Sequence, residues 1–470
     1  MGETKIIQRF AEGGYQIHPD AVTMIEAYGA PDELIQNILA SLDGSVLVVK
    51  PEHIKSRLPQ PTYGVEVLDA LPTTCVGNYE EFLGYFHDRY AKLSEILRRR
   101  IGARPIESIN LTKKSREEVT VIGMVSTIRD TANGHRLVEL EDPTGMIPVL
   151  FPNNKDVFDP STRIFLDEVI GITGSLTKDG LLIANRITWP DIPPKKNNRG
   201  EPKQNSEACY AVLISDTHVG SNTFLEHTWS RFVKWLNAEV GDDNQKALAK
   251  RVRYMVIAGD LVDGIGIYPN QEKELTIPDI YGQYEAAANL LKGVPPHIKI
   301  IISPGNHDAV RQAEPQPPLF NELTTAFPPN VTFVNNPSLF KLNGARILVY
   351  HGRSLDDLVA ALPGASYEEP DKVMAEMLKR RHLAPIYGGK TTIVPGGTDH
   401  LAIDSVPDVL HCGHVHTVGI SKYRGVTLVN SGTWQSQTEF QKSVNLEPVP
   451  GCATLLDLNT MDASVLKFYT

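Results

Sequence analysis

Apolar positions in the first fifty residues recur at helical spacing. Pro31-Asp32-Glu33 opens a helix whose apolar face is Leu34, Ile35, Ile38, Leu39 and Leu42, and Gly44 is placed to stop it. A shorter helix is expected over 20–28 and a short strand over 46–49. Residues 51–77 are rich in proline, glycine and threonine and read as a connector. Asn78 then caps a stronger helix, with Phe82, Tyr85, Phe86, Arg89, Tyr90, Leu93, Ile96 and Leu97 at i, i+3, i+4 spacing. It ends in Arg98-Arg99-Arg100, read as a solvated end that complements the helix dipole.

Past residue 118 the pattern becomes that of strands. Five are expected, over 119–128, 137–140, 146–151, 169–176 and 181–187, with turns at Asn133-Gly134, Pro143-Thr144-Gly145 and Lys178-Asp179-Gly180. Five short strands in about 75 residues suit a small closed barrel. Residues 190–206 are proline-rich and basic and read as an exposed linker. From Ala208 onward, short apolar runs alternate with helical stretches, at 210–214, 254–258, 298–302, 347–350 and around Val409-Leu410. The chain is therefore expected to be multidomain. It would carry a helical module over 1–50, a connector and helix over 51–110, a barrel over 111–190, a linker over 191–206 and an α/β domain over 207–470.

A length of 470 residues fits two or three domains, and 41% hydrophobic with 22% charged residues is a globular composition. No apolar run approaches the roughly 20 residues of a membrane helix. Met1-Gly2-Glu3-Thr4-Lys5 lacks the basic-then-apolar order of a signal peptide. Cys75, Cys209, Cys412 and Cys452 form no paired spacing, which suits a reducing cytoplasm. The net charge of -10 gives no overall cationic footprint, so any grip on nucleic acid falls to local patches or to a partner. Lys195, Lys196, Arg199 and the Lys379-Arg380-Arg381 run are the local candidates.

The residues just after each apolar run carry the chemistry. The runs lead into Asp216-Thr217-His218, Gly259-Asp260-Leu261-Val262-Asp263, Gly305-Asn306-His307-Asp308, His351-Gly352-Arg353 and Gly413-His414-Val415-His416. Side chains at the carboxyl ends of successive strands meet in one site. Asp216, His218, Asp260, Asn306, His351, His414 and His416 make seven nitrogen and oxygen donors without a cysteine. That is too many for one tetrahedral zinc and suits two ions sharing a bridging carboxylate. Mixed carboxylate and imidazole donors favour manganese or iron, with zinc allowed and magnesium a weaker substitute. Two ions about 3.5–4 Å apart can clamp a phosphoryl group for in-line attack.

These motifs, over residues 208–470, resemble the calcineurin-like metallophosphoesterases. The resemblance implies a two-sheet α/β sandwich with a dinuclear site. Asp216, His218 and His416 would hold the first ion and Asn306, His351 and His414 the second, with Asp260 bridging. His307 would stabilise the transition-state phosphoryl or protonate the leaving oxygen, and Asp308 would orient it. Arg353 would meet a substrate phosphate or form a structural salt bridge. Gly123-Met124-Val125 and Leu140-Glu141-Asp142-Pro143-Thr144-Gly145 resemble an OB-fold. A barrel ahead of such a phosphoesterase, with the tail over 430–442, resembles the small, B-type subunits of replicative DNA polymerases, most closely those of the archaeal D-family. That resemblance implies a 3'→5' proofreading exonuclease acting on the primer 3' end and releasing 5'-mononucleotides. It also implies a large polymerase subunit in a heterodimer or larger complex, and a sliding clamp. Eukaryotic B-type subunits have lost the ligands, whereas this chain keeps them. The competing readings are a non-catalytic structural subunit and a phosphomonoesterase. Against the second, Asp263 is followed by Gly264-Ile265-Gly266 and not by an arginine.

Overall fold

The computed structural model describes residues 2–26, 31–42, 46–55, 63–69, 75–106, 118–153, 163–194, 208–443 and 445–469. The chain divides into two compact units, Met1–Gly64 and Val65–Thr470. No described helix is long and apolar enough to cross a membrane.

The first unit contains α1 (Glu3–Glu12), β1 (Gln16–Ile17), α2 (Pro19–Glu26), α3 (Pro31–Ser41), β2 (Val48–Val49) and α4 (Pro51–Lys55). Ile6 and Phe10 of α1 pack with Val22, Ile25, Leu34, Ile35 and Ile38, and β1 runs parallel to β2. The helix α1 was not expected. Its buried stripe is only Ile6 and Phe10, too thin to stand out as a period. Tyr28 and Gly44, expected near helix ends, lie outside the described residues.

The second unit opens with β3 (Val65–Val67), inside the stretch read as a connector. It pairs antiparallel with a strand of the α/β domain, Phe340 facing Val67 and Leu342 facing Val65. Asp69 fixes this edge by accepting from Ser338 Oγ at 2.8 Å and Leu339 N at 2.7 Å. Then comes α5 (Tyr79–Arg98), with the expected cap: Asn78 Oδ1 accepts from Glu81 N at 2.8 Å, and Glu81 accepts from Asn78 N.

A closed barrel follows, made of β4 (Glu118–Asp130), β5 (Arg136–Asp142), β6 (Gly145–Phe151), β7 (Val169–Leu176) and β8 (Leu182–Thr188) in the order β4-β5-β6-β8-β7. Alternate residues such as Val121, Val138, Leu140, Val149 and Ile172 fill its interior. One face of α5 packs Tyr90, Leu93 and Leu97 on Ile122, Met124 and Val169 of the barrel. Tyr85, on the same helix, joins the core of the α/β domain.

The seam between barrel and α/β domain corrects two expectations. The first residues of the supposed exposed linker are packed. Ile192 is fully buried, and Asp191 accepts from Tyr423 OH at 2.9 Å and pairs with Arg424 at 2.9 Å. Lys195, Lys196 and Arg199 lie outside the described residues. Nor is Lys379-Arg380-Arg381 a phosphate patch. Arg380 and Arg381 are buried, Arg380 pairs with Glu168 at 3.0 Å and covers the Phe165 ring, and Lys379 lies 4.4 Å from the Trp189 ring. Arg380 and Lys379 face the barrel, while Arg381 donates to Asp404 O at 3.2 Å inside the α/β domain.

The α/β domain holds β9 (Tyr210–Ile214), β10 (Val252–Ala258), β11 (Lys299–Ser303), β12 (Val331–Phe333), β13 (Ser338–Leu342), β14 (Ala345–Val349), β15 (Val409–Cys412), β16 (Val418–Tyr423), β17 (Val426–Ser431), β18 (Cys452–Asp457) and β19 (Ala463–Lys467). They form two six-stranded sheets, β12-β11-β10-β9-β18-β19 and β16-β17-β15-β14-β13-β3. The helices Glu226–Leu236 and Ile280–Leu291 cover the first sheet through Trp229, Phe232, Tyr284 and Leu291. The helix Pro370–Arg380 covers the second through Val373, Met374 and Met377. Bonds at the strand ends join the two sheets: His351, after β14, lies with Nδ1 2.9 Å from Ala258 O of β10, and Ser431 Oγ of β17 donates to Ser215 Oγ at 3.0 Å. The central strands β9–β12 are mutually parallel, as are β14, β15 and β17, while the later β16, β18 and β19 are antiparallel. Strict strand-helix alternation therefore stops before the last fifth of the chain.

Candidate metal centre

Parallel neighbours point their carboxyl ends the same way, so β9, β10 and β11 deliver their loops to one edge of the first sheet and β14 and β15 to one edge of the second, and the His351 contact with Ala258 O brings the two edges together at one rim. The first loop brings Asp216 and His218, the second Asp260, the third Asn306 and His307, the fourth His351, and the fifth His414 and His416. The local backbone is unusual. Asp216, His218, Asp260, His414 and His416 have φ of 51°, 48°, 50°, 70° and 60°, in the left-handed region. They are five of the thirteen non-glycine residues with positive φ among those described. Each such residue costs about 1 kcal/mol or more, and strain of this kind persists where the surroundings over-determine it.

The strain brings donor atoms together. His218 Nε2 lies 3.1 Å from His416 Nε2, and His416 Nε2 lies 3.4 Å from Asp216 Oδ1. Asp260 Oδ2 lies 3.8 Å from His218 Nε2 and 3.3 Å from His351 Nε2. His351 Nε2 is 3.0 Å from Asn306 Oδ1. Asp216, His218 and His416 each offer an atom within 4.8 Å of the others, and so do Asp260, His351 and His414. All seven sequence-chosen donors are thus at one rim, in two groups with Asp260 near both. Hard carboxylate oxygens and imidazole nitrogens converging without intervening apolar groups fit divalent cations. The His218, Asp260 and His307 donor atoms also converge within 4.8 Å, which brings His307 against the same centre.

Outer partners set the rings. Asp263 Oδ1 lies 3.0 Å from His218 Nδ1, Gln441 Nε2 lies 2.7 Å from His416 Nδ1, and Asp356 Oδ2 lies 3.2 Å from His414 Nε2. The His351 Nδ1 contact with Ala258 O leaves its Nε2 turned to the site. Burial works against charge on the His351 ring, but Asp260 overrides it and lifts the imidazole to about 10. Burial likewise opposes charge on Asp260, and His351 and His307 hold its carboxyl well below the usual range. Asp356 is held at about 2, where His414 outweighs burial.

One expected role fails on geometry. Asp308 does not orient His307. Its Oδ2 accepts from Gly305 N at 2.8 Å and Leu261 N at 3.2 Å, and its Oδ1 accepts from Tyr284 OH at 3.1 Å. It staples the loop. The His307 ring is set instead by Asp263, whose backbone oxygen accepts from Nδ1 at 2.7 Å, while His307 N donates to Asp260 Oδ1 at 2.8 Å. Arg353 Nη1 donates to Gln312 O at 3.0 Å. Three partners were not assigned from sequence. Asp263 stood in the second motif and Gln441 in the tail over 430–442, but Asp356 carries no local signal.

Glycines allow the crowding. A Cβ on Gly305 would overlap the Asp260 carboxylate, one on Gly259 the His351 ring, and one on Gly413 the Asp216 carboxylate. Gly305→Ala is therefore expected to weaken divalent-cation affinity by at least about tenfold, the loss that displaced outer partners commonly cause. Isothermal titration with manganese checks this, with circular dichroism reporting an intact fold.

The rim opens into a cleft of about 400 Å³ lined by His218, Asp260, Asn306, His307, His414 and His416, with Tyr268 and Phe440 among the flanking residues. Residues 211–418 match the family of DNA polymerase alpha/epsilon B subunits. The DNA polymerase II small subunit of Archaeoglobus fulgidus is 48% identical over 95% of this chain and 87% of its own length. That of Methanothermobacter thermautotrophicus is 41% identical over 99% of both chains. Among solved structures, an archaeal phosphodiesterase overlaps 55% of this chain and 98% of its own at 13% identity and a TM-score of 0.29, which leaves the fold to be argued from the strands themselves. By identity and coverage, the chain belongs to the family of archaeal D-family DNA polymerase small subunits, those of DNA polymerase II.

Proposed function

We propose that this chain is a divalent-metal-dependent 3'→5' exonuclease that proofreads for a separate large polymerase subunit. The observation that carries the reading is the pair of donor groups at one rim, Asp216-His218-His416 and Asp260-His351-His414, each within 4.8 Å. In this reading Asp216, His218 and His416 would hold one cation and Asn306, His351 and His414 the other, with Asp260 available to both. Manganese is favoured by the donor set, with iron or zinc as alternatives. Two bound cations supply the Lewis acidity and the activated water that phosphodiester hydrolysis needs.

The side chains then divide the remaining work. His307, with Nδ1 committed to Asp263 O, turns Nε2 toward the cleft. In its imidazolium form it donates the Nε2 proton to the departing 3' oxygen of the penultimate nucleotide. The attacking water gives up a proton to solvent as its oxygen bonds to phosphorus, the phosphorus–O3' bond breaks, and a 5'-mononucleotide leaves. The net charge of -10 is compatible with a large subunit that supplies most of the DNA grip, and a sliding clamp is carried over as a further partner.

The test is degradation of a 5'-labelled primer–template with a 3' mismatch by the purified chain in manganese. The expected result is a ladder shortening from the 3' end, abolished by EDTA and restored by excess manganese. Degradation seen only after the large subunit is added would make that partner an activator. Silence in both settings would leave a structural subunit.

A further inference from the structure

We propose that Phe440, with Tyr268 on the lining of the same cleft, forms a stacking subsite for the base of the terminal nucleotide. The inference rests on the exonuclease reading and adds what the enzyme recognises beyond the phosphodiester. Phe440 is 64% exposed, yet it lines the same cleft as His414 and His416. It sits on the short helix Glu439–Ser443, which is tied to the donor cluster through Gln441 and capped by Thr438. The next residue, Gln441, contacts His416 Nδ1 at 2.7 Å, and Thr438 N donates to Gln441 Oε1 at 3.0 Å. An apolar ring left in water on a backbone fixed to a donor imidazole is poised for a flat apolar partner. Tyr268 and Tyr367 line the same cleft, and the Tyr367 hydroxyl is held by Asp356 Oδ1 at 3.0 Å. Tyr268 is the aromatic that lies beside His307. Its hydroxyl donates to Glu274 Oε2 at 3.1 Å, and its ring centroid lies 6.4 Å from that of His307.

The energetic reason is direct. A terminal nucleotide that enters the cleft gives up stacking on its neighbour in the duplex. An aromatic face replaces that stacking without reading base identity, since every base has a π-face. Cation contact with a further phosphate would fall to Lys390, also on the lining. The subsite therefore favours an unpaired nucleotide that carries any base over one that carries none.

The experiment compares two primer ends, one closed by an ordinary nucleotide and one by a tetrahydrofuran abasic nucleotide. Phe440→Ala is expected to lower kcat/KM roughly tenfold on the ordinary end and to leave the abasic end nearly unchanged. Phe440→Trp should stay close to the unsubstituted chain on both. An equal loss on the two ends would overturn the subsite and make Phe440 a structural residue. A second measurement is independent of turnover. The Phe440→Trp fluorescence, taken as the difference from the unsubstituted chain, is titrated with thymidine 5'-monophosphate and with 2-deoxyribose 5-phosphate in manganese. Quenching by the nucleotide alone supports the subsite even if the exonuclease reading fails. Equal quenching, or none, overturns it.

Discussion

Asn306→Ala is expected to reduce release of mononucleotides from a mismatched 3' end by at least about a hundredfold, since even outer partners of metal ligands are commonly worth 10–100-fold. His307→Ala is expected to lose about 10²–10⁴-fold, the usual contribution of a positioned proton donor. The two losses have different causes and can be told apart. Asn306 Oδ1 is 3.0 Å from His351 Nε2, inside the donor cluster, so its removal weakens metal affinity and higher manganese should recover part of the rate. His307 Nδ1 is committed to Asp263 O, so its loss removes a proton and not a cation. The His307→Ala chain should therefore approach full activity on the p-nitrophenyl ester of thymidine 5'-phosphate, whose leaving group departs without a proton. An Asn306→Ala chain should stay slow on the same ester at low manganese. Recovery of both variants, or of neither, would break the division of labour proposed for these two residues.

The second large effect is on stability. Arg89, 1% exposed, donates from Nε to Asp399 Oδ2 at 2.8 Å, from Nη1 to the carbonyls of Asp167 and Pro385 at 3.2 Å, and from Nη2 to Tyr85 OH. His382 Nε2 lies 2.7 Å from the same Asp399 oxygen. Removing one partner strands the others without water. Arg89→Ala is expected to cost about 3–5 kcal/mol, the usual penalty for breaking a buried pair. Differential scanning calorimetry on the full chain should show the transition that contains α5 moving down by several degrees. The pH dependence has a definite sign. Burial opposes charge on Asp399, but His382 and Arg89 hold its carboxyl well below the usual range. A depressed carboxyl contributes stability above its unfolded value and loses that contribution as pH falls. The gap between the unsubstituted chain and Asp399→Asn should therefore begin to close as pH drops through about 4, the unfolded carboxyl value. A gap that widens in acid would contradict this account.

How much of this could be read from residues alone depends on range. The donor loops were legible because strand ends write their chemistry locally: an apolar run, then Asp-x-His or Gly-Asn-His-Asp. The barrel was legible because alternation and Asn-Gly, Pro-Thr-Gly and Asp-Gly turns lie within one short stretch. Arg89 stood visibly on an apolar helix face, but its partner Asp399 is 310 residues away and leaves no mark near it. The assignment of Asp308 as the orienting carboxylate failed for a related reason. Adjacency in sequence suggested contact, whereas the loop turns the carboxylate inward to Gly305 and Leu261 and leaves His307 to a carbonyl from another strand's loop. The Lys379-Arg380-Arg381 run misled because charge density says nothing of burial, and Glu168 and Phe165, from the barrel, are what Arg380 meets. Residues 51–77 misled because β3 is only three residues long, below the length at which alternation is a signal.

That short strand bears on how the protein is made. The bonds that seat it, Asp69 to Ser338 and Glu66 to Lys341, join residues 269 and 275 positions apart. During synthesis its residues leave the ribosome long before β13 exists, and at about 5–20 residues per second they wait roughly 14–55 seconds for a partner. The α/β sheet is thus closed at its edge by its own earliest-translated strand, and its completion is a late, long-range event. A chain begun at residue 207 would carry every metal-site loop and still present β13 as an open hydrogen-bonding edge, ready to recruit a neighbouring molecule in place of the missing strand.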